Sequence, residues 1–313
     1  MRYVLRRIPQ LIAVLFAVSV LTFLSLNLLG DPLKSILGPQ YANREVREQT
    51  RKELHLDDSM PERYVQWISD AVQGDFGRSY NTGERVSAIL GERIPVSVFL
   101  MIYAQVLALL LAVPLAVVSA YRADRLLDRA TTTVSFGLIA VPTFALGVLL
   151  LYAFAVSSNV FPARYLDDSL LDQLYSLFLP AITLALPVAA AYMRILRADL
   201  IRTLQEDFIT LARAKGLSTP RILLGHALRP SSVSLVTVIG LQVGALLGGA
   251  LVVENIFSIP GLGKSVVDSI FRKDYLVVQT IVLIIATAYV IVNFIVDALY
   301  AVIDPRVRSA RSL

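Results

Sequence analysis

The sequence predicts an all-α, polytopic membrane protein with six transmembrane helices, its N- and C-termini both inside. Composition points there first: 56% of the 313 residues are hydrophobic and only 17% are charged, where a soluble chain carries about 25% charge. Next come six stretches free of Asp, Glu, Lys and Arg, at 8–30, 94–121, 130–163, 173–193, 230–253 and 275–296. Each provides the ~20 apolar residues that cross a hydrocarbon core. Orientation follows from Lys and Arg. With the N-terminus inside, the short segments hold 16 of them on the cytoplasmic side and 4 outside, and the other 9 lie in the long outer segment 31–93. Long segments translocate largely regardless of charge. The net charge of +5 therefore faces the cytoplasm and anionic lipid headgroups, not nucleic acid.

Taken in order, residues 1–30 are a cytoplasmic start and the first span. Arg2, Arg6 and Arg7 precede an apolar body longer than a signal peptide's h-region and without a small-x-small cleavage site, so an uncleaved anchor is expected. Residues 31–93 form an external segment. Within it, 43–54 reads as a polar helix, and 62–73 carries Tyr64, Trp67, Ile68, Ala71 and Val72 at helical spacing. This segment reads equally as a cap on the bilayer, with Trp67 at the interface, and as a docking surface for an external partner. Gly74 to Gly77 and Asn81 to Gly83 are turn signals.

Residues 94–303 are the transmembrane core. Prolines at 114, 142, 180 and 187 each remove a backbone donor and favour a kink. The third charge-free stretch, at 34 residues, is too long to lie wholly in hydrocarbon. Gly240, Gly244 and Gly248 repeat at four-residue spacing in the fifth span, a small face for close helix packing within the chain or on another subunit. The spans are nearly free of charge; only Asp297 sits late in the last one, where a basic residue near the surface would pair with it. Proton-driven carriers show intramembrane ionisable relays, so this scarcity argues against one. Residues 304–313 are a cytoplasmic tail.

There is no cysteine, hence no disulfide and no thiolate metal site, and the two histidines, His55 and His226, fall on opposite sides of the membrane. Gly261, Leu262, Gly263, Lys264 and Ser265 imitate the end of a phosphate-binding loop, but the position that needs the first glycine is Ser258. No catalytic constellation, cofactor or metal is expected.

The cytoplasmic loop 194–229 carries Arg194, Arg197, Arg202, Arg213, Lys215, Arg221 and Arg229. Inside it, Asp207 or a neighbour caps a short helix running to Lys215, and Gly216 is the stop. Ala212 and Ala214 make that helix slim; Arg213 and Lys215 make it basic. Such a helix reads equally as one shaped for a cleft on another protein and as a solvated surface helix that only fixes topology.

The run from Phe208 to Ser218, with His226 to Pro230 after it, resembles the cytoplasmic loop of ABC importer permeases, and more closely the dipeptide, oligopeptide and nickel branch. Arg2 to Arg7, Gly30-Asp31-Pro32, Gly74 to Ser79, Ile259 to Gly263 and Asp304-Pro305-Arg306 resemble that branch too, in the subunit with the larger outer loop. The chain departs from the general pattern at Thr210-Leu211-Ala212 and in placing Pro230 one position late. The resemblance implies a type I importer permease fold. It also implies a homologous second permease, two cytoplasmic ATP-binding subunits and an extracytoplasmic substrate-binding protein as partners in the lipid bilayer. Asp207, Thr210, Leu211, Ala212, Arg213, Ala214, Lys215 and Gly216 would then couple to the ATPase, with Ala212 facing its cleft. The cargo would be di- or oligopeptides, or else a nickel chelate, glutathione or haem; an ATP-independent channel or carrier is the competing reading.

Overall fold

The computed structural model describes residues 2–28, 33–53 and 57–303. Gly30, Asp31 and Pro32, His55, the side chains of Arg2, Arg6, Arg7 and Asp297, and the ending from Asp304 lie outside what it describes. Every regular element among the described residues is helical. The helices are α1 (Arg2–Leu28), α2 (Leu33–Leu37), α3 (Arg44–Glu53), α4 (Met60–Val72), α5 (Val86–Tyr121), α6 (Leu126–Ala140) and α7 (Thr143–Leu150). After them come α8 (Leu170–Thr203), α9 (Asp207–Ala214), α10 (Thr219–Arg221), α11 (Leu228–Ile256), α12 (Leu262–Phe271) and α13 (Tyr275–Ile303). Two π-helical segments, Leu151–Ser157 and Ile222–Ala227, extend α7 and join α10 to α11.

Among the described residues five helices are long and apolar enough to span: α1, α5, α8, α10 with α11, and α13. The third charge-free stretch behaves differently. It forms α6 and α7, bent by 103° at their junction, and makes a sixth span when the bent pair is counted as one. Pro142 is the cause. It pushes the preceding residue out of the helical region, and Val141 is extended at φ −76°, ψ 124°. Pro142 also has no N–H to give Leu138. By contrast, α5 runs through Pro114 and α8 through Pro180 and Pro187. In α8 the flanking turns are buried, with Leu179, Ala181, Leu184 and Val188 all in the core. Packing there holds the helix across the missing donors.

The chain divides into two compact units, Met1–Ser97 with Pro260–Ile291, and Val98–Ile259 with Val292–Leu313. In the first, α4 lies on α1. Trp67 stacks on Phe23 with ring centroids 6.4 Å apart, and Tyr64 meets both Phe16 and Phe23 edge-on. The Tyr64 hydroxyl shares a 2.8 Å hydrogen bond with Ser19. Trp67 is therefore buried on α1, and Val72 turns outward, 84% exposed. The apolar spacing of α4 is real, but its inner face centres on Tyr64, Trp67 and Ala71.

A second contact in this unit ties the turn after α4 to the entrance of α13. Asp274 is buried; it accepts hydrogen bonds from the Ser79 hydroxyl and, at 3.2 Å, from the Tyr80 N–H. Asn81 Nδ2 donates to the Arg272 carbonyl at 3.2 Å. The turn itself is closed by Ser79 N–H to Glu84 carbonyl at 2.9 Å, with Gly83 at φ +71°. Burial, opposed by Arg63 and reinforced by the Asp274 carboxylate, pushes the Tyr80 hydroxyl up to about 12, so it stays neutral.

In the second unit α8 is the central helix, packed by α6, α7 and α11. Its inner side chains Leu177, Tyr192, Met193, Leu196 and Leu200 are buried. The Tyr192 hydroxyl donates to Gln105 Oε1 at 3.0 Å. The small-residue faces differ from the expected glycine repeat. A Cβ on Gly240 would lie 2.4 Å from Val296 Cγ2 on α13, so that contact exists within the chain. At Gly248 a Cβ would meet nothing within 4 Å, whereas on Gly249 it would lie 2.9 Å from Leu184 on α8. Positions 240 and 249 are about 2.5 turns apart and so face opposite sides. Of the repeat, Gly240 makes a close contact and Gly248 does not, and the second close contact on α11 belongs to Gly249, outside the repeat. The face that is shut is on α5, where Ala104, Ala108, Ala112 and Ala116 are all 0% exposed.

Substituting Gly240 by Val should destabilise the chain by about 1–3 kcal/mol through overpacking against Val296. Gly248→Ala should leave stability unchanged. Thermal unfolding of the two purified variants in detergent checks the pair; equal loss in both would mean that position 240 does not meet α13.

Candidate functional site

The loop between α8 and α11 is shorter than its basic composition suggests. Helix α8 continues to Thr203, so three of the seven cations sit on α8 and are engaged there. Arg194 lies over the Phe136 ring, 4.1 Å from its centroid. Arg197 makes a two-pronged ion pair with Asp128, Nη2 to Oδ2 at 2.6 Å and Nε to Oδ1. Arg202 pairs with Asp199. Asp128 is only 2% exposed and also takes the Asp124 N–H at 2.8 Å. This fastens the turn between α5 and α6 to α8. Ser231 donates to Thr203 at 2.8 Å and joins the start of α11 to the end of α8.

Helix α9 follows a tight turn. Glu206 is its N-cap in extended conformation, and its carbonyl accepts from Ile209 and Thr210 at 3.0 and 3.3 Å. The cap comes from the backbone. Of the residues expected at the cap, Asp207 or a neighbour, it is the neighbour Glu206 that takes the position, and Asp207 is the first helical residue, where its charge suits the helix dipole. The other end is a Schellman motif. Gly216 N–H reaches the Arg213 carbonyl at 2.9 Å and Leu217 N–H reaches the Ala212 carbonyl at 3.3 Å. Gly216 sits at φ +77° with nothing within 4 Å of a Cβ, so the requirement for glycine is one of backbone angle, not space.

Two helical faces result. Ile209 and Ala212, three apart, are buried at 0% and 5%. They seat α9 on the body of the chain, where it packs against Ile222–Ala227. Ala212 was expected to face a partner's cleft; it faces inward because α9 needs a small residue to lie close. Burying Ile209 contributes about 1.5–3 kcal/mol to holding the helix down. The outer face shows Phe208 at 47% and Leu211 at 55% exposure, with Leu224 of the neighbouring segment at 61%. Asp207, Thr210, Arg213, Ala214, Lys215, Gly216 and Arg221 are exposed around them. Gly240, Gly244 and Gly248 lie further on, along α11, and belong to no surface shared with α9.

Phe208, Ile209 and Leu224 escaped the sequence reading. Two apolar pairs at i,i+3, 208 with 211 and 209 with 212, are equally good candidates for an inner face, and spacing alone does not choose between them. His226, a half-buried residue, has an Nδ1 atom without a hydrogen-bond partner among the described residues. Among those residues no cluster of three or more His, Cys, Asp or Glu is positioned to hold a metal. The site is an apolar ridge with cations beside it: equipped to dock, not to carry out a reaction.

Comparison with known proteins bears on the whole chain. Residues 112–309 match the model of the binding-protein-dependent transport system inner membrane component. Residues 1–101 match the N-terminal model of such membrane components. The chain is 36% identical over 310 residues to a probable peptide ABC transporter permease protein of Sinorhizobium fredii, covering 98% of this chain and 99% of that one. It is 39% identical over 309 residues to the glutathione transport system permease protein of Escherichia coli K12, with the same coverage. The corresponding glutathione permease of Shigella flexneri is 38% identical over 309 residues.

The left-handed angle at Gly216 sets an order of substitutions. Gly216→Asn should be tolerated, Gly216→Ala should cost about 1–2 kcal/mol locally, and Gly216→Val should cost more because β-branched chains resist this region. Protease cleavage rates in the loop after α9, compared across the three variants, should rise in that order. Equal rates would mean that the helix stop does not depend on this residue.

Proposed function

The chain belongs to the binding-protein-dependent transport system inner membrane components, the permeases of ABC importers, and on that premise we propose that its cargo is a peptide. It is a multi-pass, non-catalytic subunit of the inner membrane. The energy for transport comes from ATP-binding subunits outside this chain. What supports the cargo reading is likeness along 98% of the chain to permeases named for peptides and for glutathione. Glutathione is itself a tripeptide, so the two names share one chemistry: a short chain of amides with charged ends. The relatives at 38–39% identity favour glutathione as the specific alternative.

In this reading the outer face of α9 enters a cleft on a cytoplasmic ATPase. A homologous permease completes the pathway, and the outer segment faces the binding protein. Phe208 and Leu211 supply the apolar contact; Arg213 and Lys215 contribute less, because exposed charges are weak. ATP binding favours one of two permease states by gripping α9 differently in each. Force on α9 reaches α8 through their three-residue connection, and α6 through the Asp128–Arg197 pair.

Three outcomes test this. Proteoliposomes holding the complete transporter and its binding protein should accumulate trialanine or glutathione on adding ATP; accumulation of neither rejects the cargo. Leu211→Glu changes an exposed position, so the permease should still insert, yet the ATPase subunits should no longer co-purify and uptake should cease. Retained co-purification would leave α9 as a connector only. Finally, single cysteines at Arg221 and Glu84 in this cysteine-free chain should react with an impermeant thiol reagent from opposite sides, the first only after the cells are opened. Labelling of the first in intact cells reverses the topology.

A further inference from the structure

The second unit contains a cavity of about 190 Å³ at the bend between α6 and α7. Ile139 and Thr143 contribute from either side of the bend, Leu184 and Pro187 from α8, and Gln242 and Gly249 from α11. The cavity falls near the middle of α8 and of α11, where Pro187 and Gln242 are central, and at the junction of α6 and α7, where Ile139 is next to the last residue of α6 and Thr143 is the first of α7. It therefore lies at about mid-depth of the spans, and no charged residue lines it.

Polar groups here are left open. No hydrogen bond joins the Gln242 amide or the Thr143 hydroxyl to another described residue. Pro142 and Pro187 have no N–H, so the carbonyls of Leu138 and Thr183 lack their usual helical donors. The residues next to those two carbonyls, Ile139 and Leu184, line the cavity. An unpaired amide in a hydrocarbon span is costly unless something binds it. Irregular backbone at membrane depth is tolerated where it is buried in protein or lines a water-filled cavity, and in secondary transporters broken helices at mid-depth hold the substrate.

We propose that this cavity is a contact site for the backbone amide of the transported peptide, with Gln242 and Thr143 as its hydrogen-bonding groups. The proposal rests on the peptide reading above. Gln242 offers both an acceptor and a donor, the complement of a peptide group, and Thr143 adds a hydroxyl that serves either way. An uncharged lining suits the neutral amide between the charged ends, so the site reads the presence of a peptide bond and little of the side chains. Gly249 keeps α11 close to Leu184 and gives the cavity its floor.

The test uses the complete transporter in proteoliposomes, with trialanine and glutathione as probes. Gln242→Leu and Thr143→Val keep shape and remove hydrogen bonding. Each should lower uptake of a transported probe about two- to tenfold, the effect of one lost hydrogen bond, while subunit assembly and binding-protein-stimulated ATP hydrolysis persist. A second measurement covers a variant that fails to assemble. Ala191→Cys, which also lines the cavity, should react with a thiol reagent more slowly when the transported probe is present during turnover. Parental uptake by both variants, or a modification rate indifferent to the probe, overturns the site alone. A parental complex that imports neither probe overturns the cargo reading and the site with it.

Discussion

A backbone in hydrocarbon cannot leave its N–H and C=O groups unpaired, and the architecture follows from that constraint. Long continuous helices meet it over most of their length, as α5 does over 36 residues and α8 over 34, save at the carbonyls that face their prolines. The bend at Val141 and Pro142 is the exception, and its consequences are local: two half-length helices, a cavity beside them and polar groups without partners. Pro180 and Pro187 carry the same chemical defect without breaking α8. The difference lies in surroundings: α8 is packed along much of its length, while Val141 and Pro142 are exposed. A proline supplies the opportunity for a break, and packing decides whether it is taken.

The loop after α8 combines firm attachment with an open surface. Ile209 and Ala212 anchor α9 inward, the Gly216 turn ends it sharply, and Phe208 with Leu211 is left outside. On the proposed coupling role, α9 has to be bound to its own chain at least as well as to its partner. The inward anchors, the Ser231–Thr203 bond and the Asp128–Arg197 pair supply that attachment. Breaking the ion pair from one side would leave a buried carboxylate uncompensated, which is far costlier than losing a surface pair. Arg213 on α9 and Lys215 at its C-cap are exposed and make no comparable contact with the described residues.

The first unit uses other means. It holds an aromatic cluster at α1 and α4 and a buried carboxylate at Asp274. Asp274 is satisfied by a hydroxyl and backbone N–H groups rather than by a cation. That choice fixes the position of the Ser79 to Asn81 backbone as well as the charge, because each donor has to point at the carboxylate.

The sequence alone determined the class of fold, the approximate spans and the presence of a short helix ended by Gly216, since these depend on composition, charge and local backbone preference. It also carried the family likeness, written in local motifs. It did not distinguish the inner from the outer face of α9, because both faces offer an apolar pair at the same spacing. It pointed to Gly240, Gly244 and Gly248 as one face, whereas Gly240 meets Val296 and Gly249 meets Leu184, contacts set by which helices arrive on each side. The alanines of α5 repeat every four residues in plain view, yet only their burial shows that this is the closed face. The partners of Arg197 and Asp274 are distant in sequence, at 128 and 79. Such pairings, and the cavity at the bend, arise from the three-dimensional meeting of segments, which no local pattern encodes.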